Sequence, residues 1–447
     1  MNRRNFLTTV AALPFAGSAR TTKPNIVLIL ADDLGYGDLG CYGQKLVATP
    51  NLDKFAADGV RFTQFYCGST VCAPSRCALM TGMHMGHARI RGNARTDLLP
   101  EDVTVAEILK NAGYKTCLSG KWGLGTAGNS GIPNRQGFDE FYGFLDQKHA
   151  HTQYPTQLWQ NEEEIFLDGN FGPVRKDYAQ ELFTKRALDF LDRSKTGPFF
   201  LFLSYTTPHA NNELTRQTGN GMELPGDHPY QDKPWPKPDR DFAGTVSRLD
   251  RDVGSILAKI KELGIDEDTI VLFGSDNGPH REGGNNPELF DSNGPLRGIK
   301  RDLYDGGIRT PFLVRWTGNI KPGQVSDSVC AFWDILPTFA ELAGAKAPTA
   351  IDGISFMPAL HGRAMASRSY LYWEFHEAGF SQAVRFKNWK GVRRKNRQAP
   401  VELYDISADT GETRDVAASH PEVVKRIMEI MSTARTESKT FPVRERP

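Results

Sequence analysis

Asn25-Ile26-Val27-Leu28-Ile29-Leu30, closed by Asp32-Asp33, is the stretch that decides the fold. Apolar residues fill successive positions here instead of alternate ones, which is how a strand buried on both faces reads. Helices must then cover both sides, so the run predicts an α/β fold with a large, mostly parallel central sheet flanked by helices. Its carboxylates sit at the C-terminal end of the strand, where open α/β sheets hold their ligands. The run at 269–273 repeats the pattern and ends in Asp276-Asn277.

The remaining segments alternate in the same way. Helices are predicted over 51–58, 103–111 and 178–193, and strands over 115–119 and 199–205. Phe242, Val246, Leu249, Val253, Leu257, Ile260 and Leu263 recur at spacings of three and four, the apolar stripe of an amphipathic helix that Gly264 caps. Segments 129–177 and 208–238 are longer than ordinary connections and read as irregular binding loops. From about Arg363, strand-like runs at 370–375 and 402–406 and a helix near Pro421–Thr433 suggest a smaller α+β subdomain. The division expected is 1–22, 23–362 and 363–447.

Composition narrows the partners. Among 447 residues, 54 basic and 53 acidic side chains leave a formal net charge of +1, so no global field points to nucleic acid or a membrane surface. No run is long enough to span a bilayer. Asn2-Arg3-Arg4-Asn5-Phe6-Leu7, followed by an apolar run ending in small residues near Ala19, reads as a twin-arginine export signal, which implies a periplasmic or secreted mature protein with no membrane attachment. Setting Cys72 aside leaves five cysteines, an odd number without a Cys-x-x-Cys spacing, and most read as small buried hydrophobes.

Two features carry chemistry. Asp32-Asp33 and Asp276-Asn277 offer only oxygen donors, a set that suits a hard cation such as calcium or magnesium. Cys72-Ala73-Pro74-Ser75-Arg76 places a cysteine at a helix start with an arginine one turn on. Free N–H groups, the positive end of the helix dipole and a guanidinium then converge on one spot, which favours an anion.

At Cys72 to Arg76 the chain resembles the sulfatase family of the alkaline-phosphatase-like superfamily, whose signature reads Cys-x-Pro-Ser-Arg, and the likeness extends from about Pro24 to the C-terminus. In kind it looks like bacterial arylsulfatase A-like polysaccharide sulfatases. The resemblance implies that Cys72 is oxidised to formylglycine by a maturation enzyme and that its hydrate is the nucleophile. It implies a calcium ion, with magnesium as the other choice, on Asp32, Asp33, Asp276, Asn277 and modified Cys72. It assigns Arg76 to steadying the nucleophile, Lys121 and Lys300 to the sulfate, and His209 to protonating the leaving oxygen. One position departs from the pattern: the family's Gly-Lys-Trp-His-Leu-Gly has Gly123 in place of its histidine. His149, His151 and His280 are the expected substitutes, and these three with Arg281 and Arg91 are the expected substrate-binding residues. The expected reaction is hydrolysis of an O-sulfate on a galactose- or N-acetylgalactosamine-type unit of a sulfated polysaccharide. The alternatives are a phosphodiesterase or phosphonate hydrolase with the same nucleophile, and a silent protein that binds sulfated glycans without turnover.

Overall fold

The computed structural model describes residues 23–443 apart from 95, 227 and 378; the expected export signal lies outside the described residues. Among the described residues, ten strands form one sheet. Its centre is five parallel strands: β1 (Asn25–Asp32), β2 (Lys115–Lys121), β3 (Glu140–Phe144), β4 (Phe199–Pro208) and β5 (Thr269–Ser275), in the spatial order β5-β1-β4-β2-β3. Antiparallel strands extend both edges: Phe312–Arg315 pairs with β5, and the hairpin Gln157–Gln160/Glu163–Phe166 adds to β3.

The continuous apolar run has the expected cause. All eight residues of β1 are buried. Ile26, Leu28 and Leu30 belong to the core on one face, Val27, Ile29 and Ala31 to the core on the other. β5 divides likewise, Ile270 and Leu272 against Val271 and Phe273. Side chains alternate across a pleated strand, so two covered faces demand apolar residues at every position. Three helices cover the strands whose ends carry the chemistry: α1 (Cys72–Thr81), α2 (Ala179–Ser194) and α3 (Lys237–Glu262). α1 packs on the first face, α2 and α3 on the second, with Phe242, Val246, Leu249, Val253 and Ile260 of the predicted stripe all buried. Gly264 adopts φ +70° just past α3, as a helix-ending glycine does.

Two loop expectations are corrected. Segment 129–177 contains β3 and the edge hairpin; these strands are four or five residues long and interrupted by glycine and polar residues, so they lack a continuous apolar run. Segment 208–238 contains the helix Asn212–Thr218, whose first turn is capped by the Asn211 side chain accepting from Leu214 N–H at 3.0 Å. The C-terminal part adds strands at Ser381–Phe386 and Trp389–Arg393 between the two expected ones, giving a four-stranded antiparallel sheet with the Pro421–Thr433 helix against it. All six cysteines are free thiols.

Candidate active site

The site forms where β1, β2, β4 and β5 end. Asp32 is the last residue of β1, Lys121 the last of β2; His209 follows β4 directly, and Asp276-Asn277 follow β5. Parallel pairing brings these ends together although the residues span 245 positions (32 to 277) of sequence. Asp33 takes the left-handed conformation, φ +66°, uncommon outside glycine. Its N–H donates to Asp276 Oδ1 at 3.2 Å, and its carboxylate accepts from Asn277 Nδ2 at 2.7 Å.

α1 supplies the fourth side. Extended Val71 starts it, Ala73 N–H donates to Asn93 Oδ1 at 3.0 Å, and Gly82 at φ +71° ends it. Every residue of α1 is buried. Cys72 Sγ lies 3.3 Å from Asp32 Oδ1. Burial, with the Asp32 charge beside it, pushes the thiol well above its ordinary pKa, so as a thiol it stays protonated. One turn on, Arg76 is fully occupied: Nε donates to Asp276 Oδ2 at 2.9 Å, Nη1 to the Lys121 carbonyl at 3.0 Å and to Ser204 Oγ, and Nη2 faces Asp32 Oδ2 at 3.3 Å. Arg76 thus locks the helix carrying Cys72 to three strand ends.

Lys121 Nζ donates to Asp32 Oδ2 at 2.6 Å, and Lys300 Nζ to Asp33 Oδ2 at 2.8 Å and Glu282 Oε2 at 2.7 Å. Burial alone would raise Asp32, but the charges of Lys121, Arg76 and Lys300 outweigh it and hold this carboxyl far below the usual range. Asp276 goes the other way: burial and the Asp32 charge push it up to about 7 against Arg76. Asp32, Asp33 and Asp276 thus share three cations, Arg76, Lys121 and Lys300, and Glu282 lies between Lys300 and Arg301. Ligand atoms of Asp32, Asp33, Cys72 and His209 all lie within 4.8 Å of one another, and Asn277 Oδ1 is a buried oxygen without a partner among the described residues. Three buried carboxylates converging on one spot and an orphaned oxygen fit a divalent cation of the calcium or magnesium type.

His209 Nδ1 lies 2.7 Å from the Ala210 carbonyl, so it carries the hydrogen and leaves Nε2 facing Asp33 Oδ2 at 3.6 Å and Glu282 Oε2 at 3.8 Å. Burial and the Lys300 charge lower its pKa to about 3. His151 stacks on it at 5.0 Å between ring centres and meets Glu213 Oε2 at 3.1 Å; burial lowers its pKa too. His280 stands behind His209 at 6.0 Å, accepting from Glu282 N–H at Nδ1 and donating from Nε2 to the Pro208 carbonyl. His149 packs edge-on against Phe144.

Two expected residues are engaged elsewhere. Arg91 is buried with its donors on the Ala88 carbonyl, the Thr436 carbonyl and Glu374 Oε1, a clamp on the C-terminal segment. Arg281 is exposed and paired with Glu288. Glu282, which bridges Lys300 and Arg301, was not singled out by sequence; an acidic residue before Gly283-Gly284 in a loop carries no periodic signal.

Comparison with known proteins agrees with this geometry. Residues 24–345 match the family described as Sulfatase, and 299–437 match N-sulphoglucosamine sulphohydrolase, C-terminal. Human (Homo sapiens) arylsulfatase A is 34% identical over 93% of this chain and 88% of its own length. N-acetylgalactosamine-6-O-sulfatase of Bacteroides thetaiotaomicron is 29% identical over 93% of each chain. The solved structure of Ps i-CgsB in complex with k-i-k-neocarrahexaose superposes with a TM-score of 0.78 at 29% identity, covering 92% of both chains. The chain therefore belongs to the sulfatase family, and the protein is a sulfuric ester hydrolase.

Proposed function

We propose that this sulfatase removes an O-sulfate from a galactose- or N-acetylgalactosamine-type unit of a sulfated polysaccharide, with Cys72 converted to formylglycine and a calcium or magnesium ion on Asp32, Asp33, Asp276 and Asn277. The observation that carries it is the buried Cys72 at the start of α1, 3.3 Å from Asp32 and locked to the acid pairs by Arg76. The sugar class is supported by the names of two similar proteins, one an N-acetylgalactosamine-6-O-sulfatase and one crystallised with a neocarrahexaose.

When in place, the cation and the aldehyde hydrate supply a polarised sulfate and an oxygen nucleophile of lowered pKa. This chain's residues do the rest. Lys121 and Lys300 offset the negative charge that sulfate brings and that builds on its oxygens during transfer. Arg76, with no donor left over, holds the nucleophile's helix in place. His209 keeps its Nδ1 hydrogen on the Ala210 carbonyl, so Nε2 is the nitrogen that must first gain a proton, favoured by the negative charge of bound sulfate, before passing it to the leaving ester oxygen. Export by the twin-arginine route places the mature enzyme in the periplasm or outside the cell, so a maturation enzyme must act on Cys72 in the cytoplasm, before folding buries it. Among the described residues no helix is long and apolar enough to cross a membrane.

The test is mass spectrometry of the tryptic peptide containing Cys72, from protein made in a host with working maturation, together with metal analysis. The expected result is the mass of the aldehyde or its hydrate and one divalent ion per chain. An unmodified thiol with glycan binding and no turnover would overturn the enzymatic reading of this site; turnover of phosphodiesters above sulfate esters would replace the substrate.

A further inference from the structure

His209 stands one residue beyond the end of β4, so strand pairing no longer fixes its backbone. Its ring is aimed by the chain itself: Nδ1–H rests on the Ala210 carbonyl at 2.7 Å, which leaves Nε2 facing Asp33 and Glu282. The direction of Nε2 therefore follows the two peptides that flank Ala210, and both are pinned. Gln153 Nε2 donates to the His209 carbonyl at 3.3 Å, while Gln153 Oε1 accepts from Thr206 Oγ1 at 2.8 Å. Asn211 N–H, in the peptide that carries the Ala210 carbonyl, donates to the Gly221 carbonyl at 2.8 Å. Glu223 joins the two fixings. Its Oε2 accepts from Gln153 N–H at 3.0 Å and from Asn211 Nδ2 at 2.9 Å, and its Oε1 accepts from Arg175. Gln153 and Glu223 are both buried, so each of these bonds, once lost, leaves a polar group unsatisfied.

We propose that Gln153, anchored by Glu223, is the positioning residue for His209: it holds the peptide between His209 and Ala210 so that Nε2 stays on the leaving oxygen. The assignment rests on the proton-donor reading of His209 above. A proton passes only over hydrogen-bond distance, and a misplacement of about 1 Å can cost about 100-fold in rate. An amide neither takes nor gives a proton at working pH, so the effect of Gln153 passes through His209. The pair also gives segments 129–177 and 208–238 a joint task, since Gln153 comes from the first and Asn211 and Glu223 from the second.

The experiment compares kcat/KM for phenyl sulfate with kcat/KM for 4-nitrophenyl sulfate, in the mature enzyme and in Gln153→Ala, Glu223→Gln, His209→Ala and the double variant Gln153→Ala/His209→Ala. The two esters are close in shape, but phenolate, the group of a tyrosine side chain with its pKa of about 10, needs a proton to depart far more than nitrophenolate does. Their ratio cancels any difference in the fraction of folded enzyme. Gln153→Ala should lower the phenyl-to-nitrophenyl ratio at least about tenfold, a part of the about 100- to 10,000-fold that a placed acid contributes. The double variant should fall no further than His209→Ala alone, because both changes remove one and the same proton transfer. A ratio within about twofold of wild type in Gln153→Ala, beside a lowered ratio in His209→Ala, overturns the proposal; so does a further fall in the double variant. Should Gln153→Ala yield no folded enzyme, Glu223→Gln, of unchanged size and with one accepting oxygen left, decides by the same ratio. Equal losses on both esters in His209→Ala overturn instead the proton-donor reading beneath it.

Discussion

At the residue scale, the chemistry is concentrated in side chains that have almost no freedom. Cys72 is 2% exposed and replaces no packing that alanine would not largely keep. Cys72→Ala should therefore lower turnover at least about a thousandfold while urea unfolding moves by less than about 1 kcal/mol; wild-type turnover in this variant would remove the mechanism. A second residue couples stability to pH. His84 stacks on His87 at 4.5 Å, has Nε2 3.5 Å from Asp352 Oδ1, and accepts from Gly86 N–H at Nδ1. Burial lowers its pKa to about 4, against partial compensation from Asp352. The unfolded chain protonates this histidine below about pH 6.5, the folded one only near 4, so folding takes up fewer protons and stability is lost as pH falls through that window. The loss approaches about 3 kcal/mol at its acid end. Denaturation midpoints at pH 7 and pH 4.5 should differ less in His84→Asn than in wild type; an equal difference would place the acid sensitivity elsewhere. The acid pairs and the cysteine motif were legible in the sequence because each is a run of adjacent residues. Glu282 and Gln153 were not, because each acquires its meaning from a residue on another loop, Lys300 in one case and His209 in the other.

At the element scale, helices here are held by partners as much as by their own sequence. The helix Pro50–Ala57 has no side-chain cap from Thr49. Asp250, midway along α3, does that work from outside: its carboxylate accepts from Leu52 N–H at 2.8 Å, from Asn51 N–H at 3.2 Å and from Asn51 Nδ2 at 2.7 Å. Asp250→Ala should cost about 1–3 kcal/mol by chemical denaturation, since it strands buried first-turn N–H groups; a change under about 0.5 kcal/mol would show that water caps this helix as well. The contrast with Val105–Asn111 is informative. That helix carries its own capping box, Thr104 with Glu107, and its start falls two residues inside the 103–111 expected from sequence. A cap within the chain is readable in advance, and one donated by a residue 198 positions away is not.

At the scale of the whole molecule, the small C-terminal sheet is bolted to the loop that carries Lys300. Lys390, on the strand Trp389–Arg393, is fully buried with Nζ 2.6 Å from Asp305 Oδ1 and 3.4 Å from Glu412 Oε1. Tyr66 joins the same group, donating to Asp305 Oδ2 at 2.9 Å and accepting from Arg385 Nη1 at 2.7 Å. Lys390→Met leaves two carboxylates facing each other out of water, so it should destabilise the protein by about 3–5 kcal/mol, read as a shift of the denaturation midpoint followed by tryptophan fluorescence. A shift below about 1 kcal/mol would mean that the other contacts between the two parts, Arg385–Tyr66 and Arg91–Glu374 among them, hold them without Lys390. The central sheet was readable because its strands are buried on both faces and so are written as unbroken apolar runs. β3, its neighbouring hairpin and the two inner strands of the C-terminal sheet are shorter, with polar or glycine residues among the apolar ones, and read as loops until their partners are seen. The sequence alone thus determined the α/β core, the two acid pairs at strand ends and the Cys72 motif at a helix start, because each depends on neighbours in the chain. Only the tertiary structure decided that Arg91 meets Glu374 across 283 residues, that Glu282 bridges Lys300, and that Gln147 fills the room beside Gly123. Those contacts depend on the paths that loops take between strands, and no local periodicity records such a path.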